Sequence, residues 1–229
     1  EIPAFDKAHV AIRVEGDVNI YADYNGSKYM TPASNTKLLT FLAAIQTFDS
    51  LPAVEYKIEN DSVLSFRSTG YPLLLHPFYP DTTLLDFLSQ NKTWKYSVSN
   101  NKLDPLGAGW MWDDYRYYFS SEKSIFPIYG NSVKATKGEG LVPYFEVQID
   151  TFHNSLERDV NNNKFYSNPE KWETKDTLYS PFITSDSLFV KLLSKATNNI
   201  IIFDKSNDKI IWDKLYTSNE KVLYKALLK

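Results

Sequence analysis

Ser34 and Lys37 are the pair in this sequence best placed to do chemistry. They stand in the run Tyr29-Met30-Thr31-Pro32-Ala33-Ser34-Asn35-Thr36-Lys37-Leu38-Leu39-Thr40-Phe41. When a serine opens a helix, a lysine three residues on lies one turn away on the same face. If that lysine is held neutral, it takes the hydroxyl proton and makes the serine a nucleophile. If it stays charged and in water, the same two residues are an N-cap and a solvated cation, and serine is a leading N-cap residue.

Spacing alone does not separate these readings. Ser-x-x-Lys occurs six times, from Ser34, Ser89, Ser99, Ser120, Ser206 and Ser218. The runs at Ser99 and Ser206 are polar and turn-like. Ser120 and Ser218 stand in charged stretches, and Ser89 trails a short apolar segment. Behind Ser34, by contrast, Leu38, Phe41, Leu42 and Ile45 recur at helical spacing. Pro32 discourages helix further upstream. The pattern predicts Ser34 at a helix N-terminus, among free N–H groups and the positive dipole end, with the helix ending near Phe48 because Pro52 follows.

The elements around that helix read as follows. His9–Val14 and Val18–Ala22 form a hairpin turned by Glu15-Gly16-Asp17, and the loop from Tyr24 delivers Ser34, an order that suits a helix packed on a sheet. Val54–Phe66 forms a second hairpin turned at Asn60-Asp61. Asp81-Thr82 caps a short helix through Leu84, Leu85 and Leu88. Trp94-x-Tyr96-x-Val98 and Phe145-x-Val147-x-Ile149 alternate as strands. Residues 99–140 mix aromatics with Gly, Asn and Ser and are expected to be irregular. Phe189, Leu192 and Leu193 mark a helix, and Ile200–Phe203 with Lys209–Trp212 a third hairpin. Thr217-Ser218-Asn219-Glu220 has the form of a capping box ahead of Val222, Leu223, Ala226 and Leu227.

The 229 residues allow one large domain or two small ones. A net charge of −3 with dispersed lysines gives no reason to expect a nucleic acid or an acidic membrane surface as partner. Without cysteine there are no disulfides and no thiolate metal sites. No apolar run reaches the length of a spanning helix. His9, His76 and His153 are too scattered to predict a zinc site.

Pro32–Thr40 resembles the active-site segment of serine-type D-alanyl-D-alanine carboxypeptidases/endopeptidases, in particular the penicillin-binding protein 4 group (DacB-like, peptidase family S13). Gly109-Trp110-Met111-Trp112-Asp113-Asp114-Tyr115, with Tyr117, Tyr118 and Ser124, is similar to the Trp-x-Trp-Asp-Asp stretch of that group's inserted region. Pro181-Phe182 through Leu192-Leu193-Ser194, then Ile200–Phe203, resembles the return to the catalytic domain. The resemblance implies Ser34 as the acylated nucleophile and Lys37 as the proton acceptor, in the Ser-x-x-Lys element of penicillin-binding proteins. It implies peptidoglycan stem peptides as substrate, β-lactams as inhibitors, no cofactor, and a periplasmic or cell-envelope location. Asp113 and Asp114 have two readings. They bind the cationic end of a stem peptide, or they cap a turn whose tryptophans lie in the core, and the residues favour the second.

The family also needs a Ser-x-Asn and a Lys-Thr-Gly. Ser99-Asn100-Asn101 has the first form but precedes the Trp-Asp-Asp stretch and lies in a turn-like run, so it is set aside. Thr136-Lys137-Gly138 has the wrong order for the second and reads as a loop. The helix from Thr217 meets no stop signal before Lys229. The expectation is therefore the N-terminal portion of a longer protein, an α+β, β-lactamase-like transpeptidase domain carrying a long β-rich insertion. Residues 1–50 begin the catalytic domain, 51–214 form the insertion, and 215–229 return. Two other readings remain: a non-catalytic wall-binding protein of the same fold, and a Ser-Lys esterase or β-lactamase-like hydrolase.

Overall fold

A computed structural model describes residues 3, 7–48, 50–79, 81–90, 93–98, 102–150, 155–173, 175–204, 211–217 and 224–225. They divide into two compact units, with the break between Thr47 and Phe48. The chain is α+β: short helices with antiparallel and mixed sheets.

The first unit holds one hairpin and one helix. β1 (Ile12–Glu15) pairs antiparallel with β2 (Ile20–Tyr24), and the Gly16 amide donates to the Asn19 carbonyl to close the turn. Arg13 fastens the hairpin to Asp23 across the strands, at 3.0 Å. α1 (Thr36–Thr47) follows. The sequence predicts that this helix packs on a sheet, yet none of its residues is buried.

The second unit is built on a five-stranded sheet in the order β12-β5-β4-β3-β13, where β3 is Pro52–Asn60, β4 Val63–Ser68, β5 Thr93–Ser97, β12 Ile201–Asp204 and β13 Asp213–Tyr216. β3 and β4 are the predicted second hairpin. β4, β5 and β12 run parallel, so each step between them needs a crossover. The crossovers carry α2 (Thr83–Leu88) and α3 (Asp186–Thr197). Period-two alternation sorts the two faces. Val54, Leu64, Phe66, Trp94 and Tyr96 turn into the core. Glu55, Glu59, Arg67, Lys95 and Lys214 form ion pairs on the other face.

The core is aromatic. Phe66 meets Trp94 at 5.7 Å, Tyr96 at 5.4 Å and Phe126 at 6.2 Å, and Phe126 stacks on Phe189 of α3 at 4.6 Å. The caps follow the chemistry of small polar side chains. The Ser185 hydroxyl accepts from the Leu188 amide at α3; at α2 the N-cap Thr82 makes no side-chain capping bond, and the preceding Asp81 carboxylate accepts from the Thr83 amide.

Two smaller sheets complete the second unit. β6 (Ser132–Thr136) lies between β11 (Thr177–Pro181) and β7 (Gly140–Val142), all antiparallel. β10 (Phe165–Ser167) lies between β8 (Val147–Ile149) and β9 (Glu157–Arg158).

Two expectations are corrected. Residues 99–140 are not wholly irregular, because among the described ones they contain β6 and two short helical turns, Trp112–Arg116 and Tyr118–Ser120. The third hairpin, expected between Ile200–Phe203 and Lys209–Trp212, is not seen among the described residues: Ile211 and Trp212 lie in no strand, β12 pairs parallel with β5 at one edge of the large sheet, and the next described strand, β13, pairs antiparallel with β3 at the other. Three strands separate them, because each finds its partner far away in sequence rather than in its neighbour. Lys209, Glu220 and His153 lie outside the described residues, as do Ser99-Asn100-Asn101 and the helix expected beyond Thr217, apart from a helical fragment at Tyr224–Lys225.

Candidate active site

The turn into α1 is tighter than an α-helix. The Thr36 amide donates to the Ala33 carbonyl (3.3 Å), Lys37 to Ser34 (3.0 Å) and Leu38 to Asn35 (3.2 Å), all three-residue steps. The Thr36 hydroxyl adds a bond to the same Ala33 carbonyl at 2.9 Å. α1 therefore opens at Thr36, one residue later than the N-cap reading of Ser34 predicts. Ser34 sits in the approach turn, exposed, with Lys37 half-buried in the first turn of the helix.

The apolar side of α1 is open. Leu38 is 60% exposed, Leu39 70%, Leu42 46% and Ile45 44%. A Ser-Lys pair needs water kept away from the amine, because a neutral lysine depends on burial that disfavours the ammonium.

Asp113 and Asp114 belong to the second unit. They lie in a one-turn helix, Trp112–Arg116, with Asp113 exposed and Asp114 half-buried. The tryptophans beside them are not in the core: Trp110 is 42% exposed and Trp112 75%. That half of the turn-and-core reading is overturned. The indole of Trp112 lies against the ring of Tyr115 instead, their planes 12° apart. The pattern Trp-x-Trp resembles a strand with one buried face, but here the backbone coils and turns both rings outward.

A residue that sequence reasoning missed holds this turn in place. Arg158 on β9 is buried, with its guanidinium donating to the carbonyls of Pro181 (2.9 Å) and Asp159 (2.7 Å) and lying over the ring of Tyr115. Burial pulls its pKa below the usual arginine value. Its anchoring carbonyls lie in two separate stretches, so local sequence carries no signal for it. Thr136-Lys137-Gly138 proves to be the end of β6 and the turn to β7, with the Lys137 ammonium on the Trp172 carbonyl at 2.7 Å. Among the described residues no group of His, Cys, Asp or Glu is arranged to hold a metal ion.

The fold is similar to part of a known penicillin-binding protein structure. The crystal structure of penicillin binding protein 4 (dacB) from Haemophilus influenzae superposes with a TM-score of 0.52 at 18% identity, over 84% of this chain. At that identity the likeness is one of fold. The chain spans about half of that protein, 52% of its length. Residues 1–84 match the D-Ala-D-Ala carboxypeptidase 3 (S13) family, which bears out the S13-like, DacB-like resemblance of the Ser34 segment. No curated protein sequence matches the chain.

Proposed function

We propose that this chain carries the Ser-Lys half of a serine-type D-Ala-D-Ala carboxypeptidase/endopeptidase that acts on peptidoglycan stem peptides in the cell envelope. The observation that carries the reading is the S13 match over residues 1–84, which contains Ser34, Lys37 and the whole of α1. The fold shared with penicillin binding protein 4 supports it. The domain reading goes with it: residues 1–50 open the catalytic domain, 51–214 are its insertion, and 215–229 lead back.

In this mechanism Lys37 takes the Ser34 proton as the hydroxyl oxygen attacks the carbonyl between two D-alanines. The C–N bond breaks, the leaving amine takes up the proton, and an ester to Ser34 remains. Water then hydrolyses that ester, with Lys37 again as proton acceptor. β-Lactams acylate the same oxygen. The backbone amide of Ser34 supplies one oxyanion donor, and such a donor is worth about 3–4 kcal/mol in the barrier. The chemistry calls for no metal or organic cofactor. Because the sequence holds no Lys-Thr-Gly and its Ser99-Asn100-Asn101 string is set aside, the 229-residue chain alone is expected to be inactive.

Release of D-alanine from a stem pentapeptide by the complete gene product tests the reading. Activity is expected, with loss in Ser34→Ala and in Lys37→Ala. Activity that survives Ser34→Ala overturns it. Asp113 is proposed to meet the cationic end of the stem peptide, so Asp113→Ala is expected to raise KM, and an unchanged KM removes that role.

A further inference from the structure

Asp81 gathers donors from three separate stretches of the second unit. The Tyr71 phenol and the Thr217 hydroxyl both donate to Oδ2, and the Thr83 amide donates to Oδ1 at 2.9 Å. Tyr71 follows β4, Thr83 opens α2, and Thr217 comes directly after β13. All three side chains that meet at Oδ2 are buried: Asp81 is 8% exposed, Tyr71 3% and Thr217 5%. A carboxylate is removed from water at a cost unless it is fully hydrogen-bonded, and a half-satisfied one is worse than an apolar residue. The arrangement therefore stands or falls as a unit.

The placement gives the unit a task. Among the described residues β13 is an edge strand, paired with β3 alone, so one ladder holds it there. The register is irregular between Leu215 and Tyr216, at the end where the chain leaves the sheet. Thr217 is the next residue, and its hydroxyl reaches Asp81 across 136 positions of sequence. Burial raises the Asp81 pKa, but the bonds from Thr217, Tyr71 and Thr83 outweigh it and leave the carboxyl below its usual range. The group is thus charged at neutral pH and accepts from all three donors. Tyr71, in turn, is held in its neutral, donating form by burial and by the Asp81 charge.

We propose that Asp81 is a latch that fastens the outgoing end of β13, at Thr217, to the N-terminus of α2, and so holds the end of the edge strand to the body of the second unit. Neither the fold class nor the peptidase reading requires such a device.

Hydrogen exchange followed by mass spectrometry on the 229-residue chain tests it. Thr217→Val keeps the shape and removes one donor, while Asp81→Asn removes the charge. In both, amides of 213–217 are expected to exchange at least about tenfold faster, as the loss of a bond to a buried charge implies. Amides of β4 and β5 should change by less than about threefold, as for a local opening. Unchanged exchange at 213–217 in Thr217→Val overturns the latch. So does an equal rise throughout the second unit, which makes Asp81 a contributor to global stability alone. If Asp81→Asn fails to fold, Thr217→Val decides the question.

Discussion

The Lys37 amide nitrogen donates to the Ser34 carbonyl oxygen at 3.0 Å, which joins the two proposed catalytic residues through one backbone turn. Their spacing is thus set locally rather than by tertiary packing. Ser34 is exposed, so Ser34→Ala is expected to leave stability within about 0.5 kcal/mol of the parent, as for other surface changes. Chemical denaturation checks this, and a larger loss assigns Ser34 a structural role.

The two units should differ in resistance to protease. No residue of α1 is buried, whereas Arg67, Lys95 and Lys134 lie in paired strands of the second unit. Brief trypsin digestion is expected to cut at Lys28 or Lys37 well before those three, since local opening governs cleavage. Mass analysis of the early fragments shows the order, and first cuts in the strands contradict it.

Phe66 is fully buried and touches three other aromatic rings. Phe66→Ala is expected to cost about 3–5 kcal/mol, the range for an aromatic truncated in a core. Denaturant titration followed by tryptophan fluorescence reads it out. A loss under about 1 kcal/mol denies that this cluster is the core of the second unit.

His76 is half-buried against Phe78 and Tyr79, and its Nδ1 accepts from the Phe78 amide at 3.2 Å. Burial lowers its pKa, so the folded state disfavours the imidazolium. The unfolded chain takes up that proton first, near its ordinary value of about 6.5. The contribution of His76 is therefore complete above that pH and is lost as pH falls below it. Relative to His76→Phe, the parent should lose stability between neutral and mildly acid pH. Parallel slopes for parent and variant contradict this.

Much of the fold was legible in the sequence, and what was not has physical reasons. The β3–β4 hairpin showed as strict alternation on both sides of Asn60-Asp61, because one face packs and the other meets water. α1 showed as helical spacing even though its apolar side is open, since periodicity records what a helix is built to cover. β6 was hidden because Tyr129, Gly130 and Asn131 all take positive φ before it, and Gly130 alone announces such a turn. Asn131 holds that turn with bonds to the Glu122 carbonyl and the Ser124 hydroxyl, contacts that no local pattern encodes. Ile200–Phe203 and Lys209–Trp212 read as a hairpin along the chain, but β12 takes its partner, β5, from far back in the sequence, and the strand that follows is Asp213–Tyr216. At the candidate site the Ser-x-x-Lys spacing and the helix behind it were legible. The opening of α1 at Thr36, where the Thr36 hydroxyl turns back to Ala33, was not.

The most direct test of the central claim is intact mass after incubation with benzylpenicillin. In the complete gene product, one covalent adduct is predicted on Ser34, absent in Ser34→Ala and Lys37→Ala. The 229-residue chain alone should label slowly or not at all. An adduct on another residue, or none on the complete protein, contradicts Ser34 as the nucleophile.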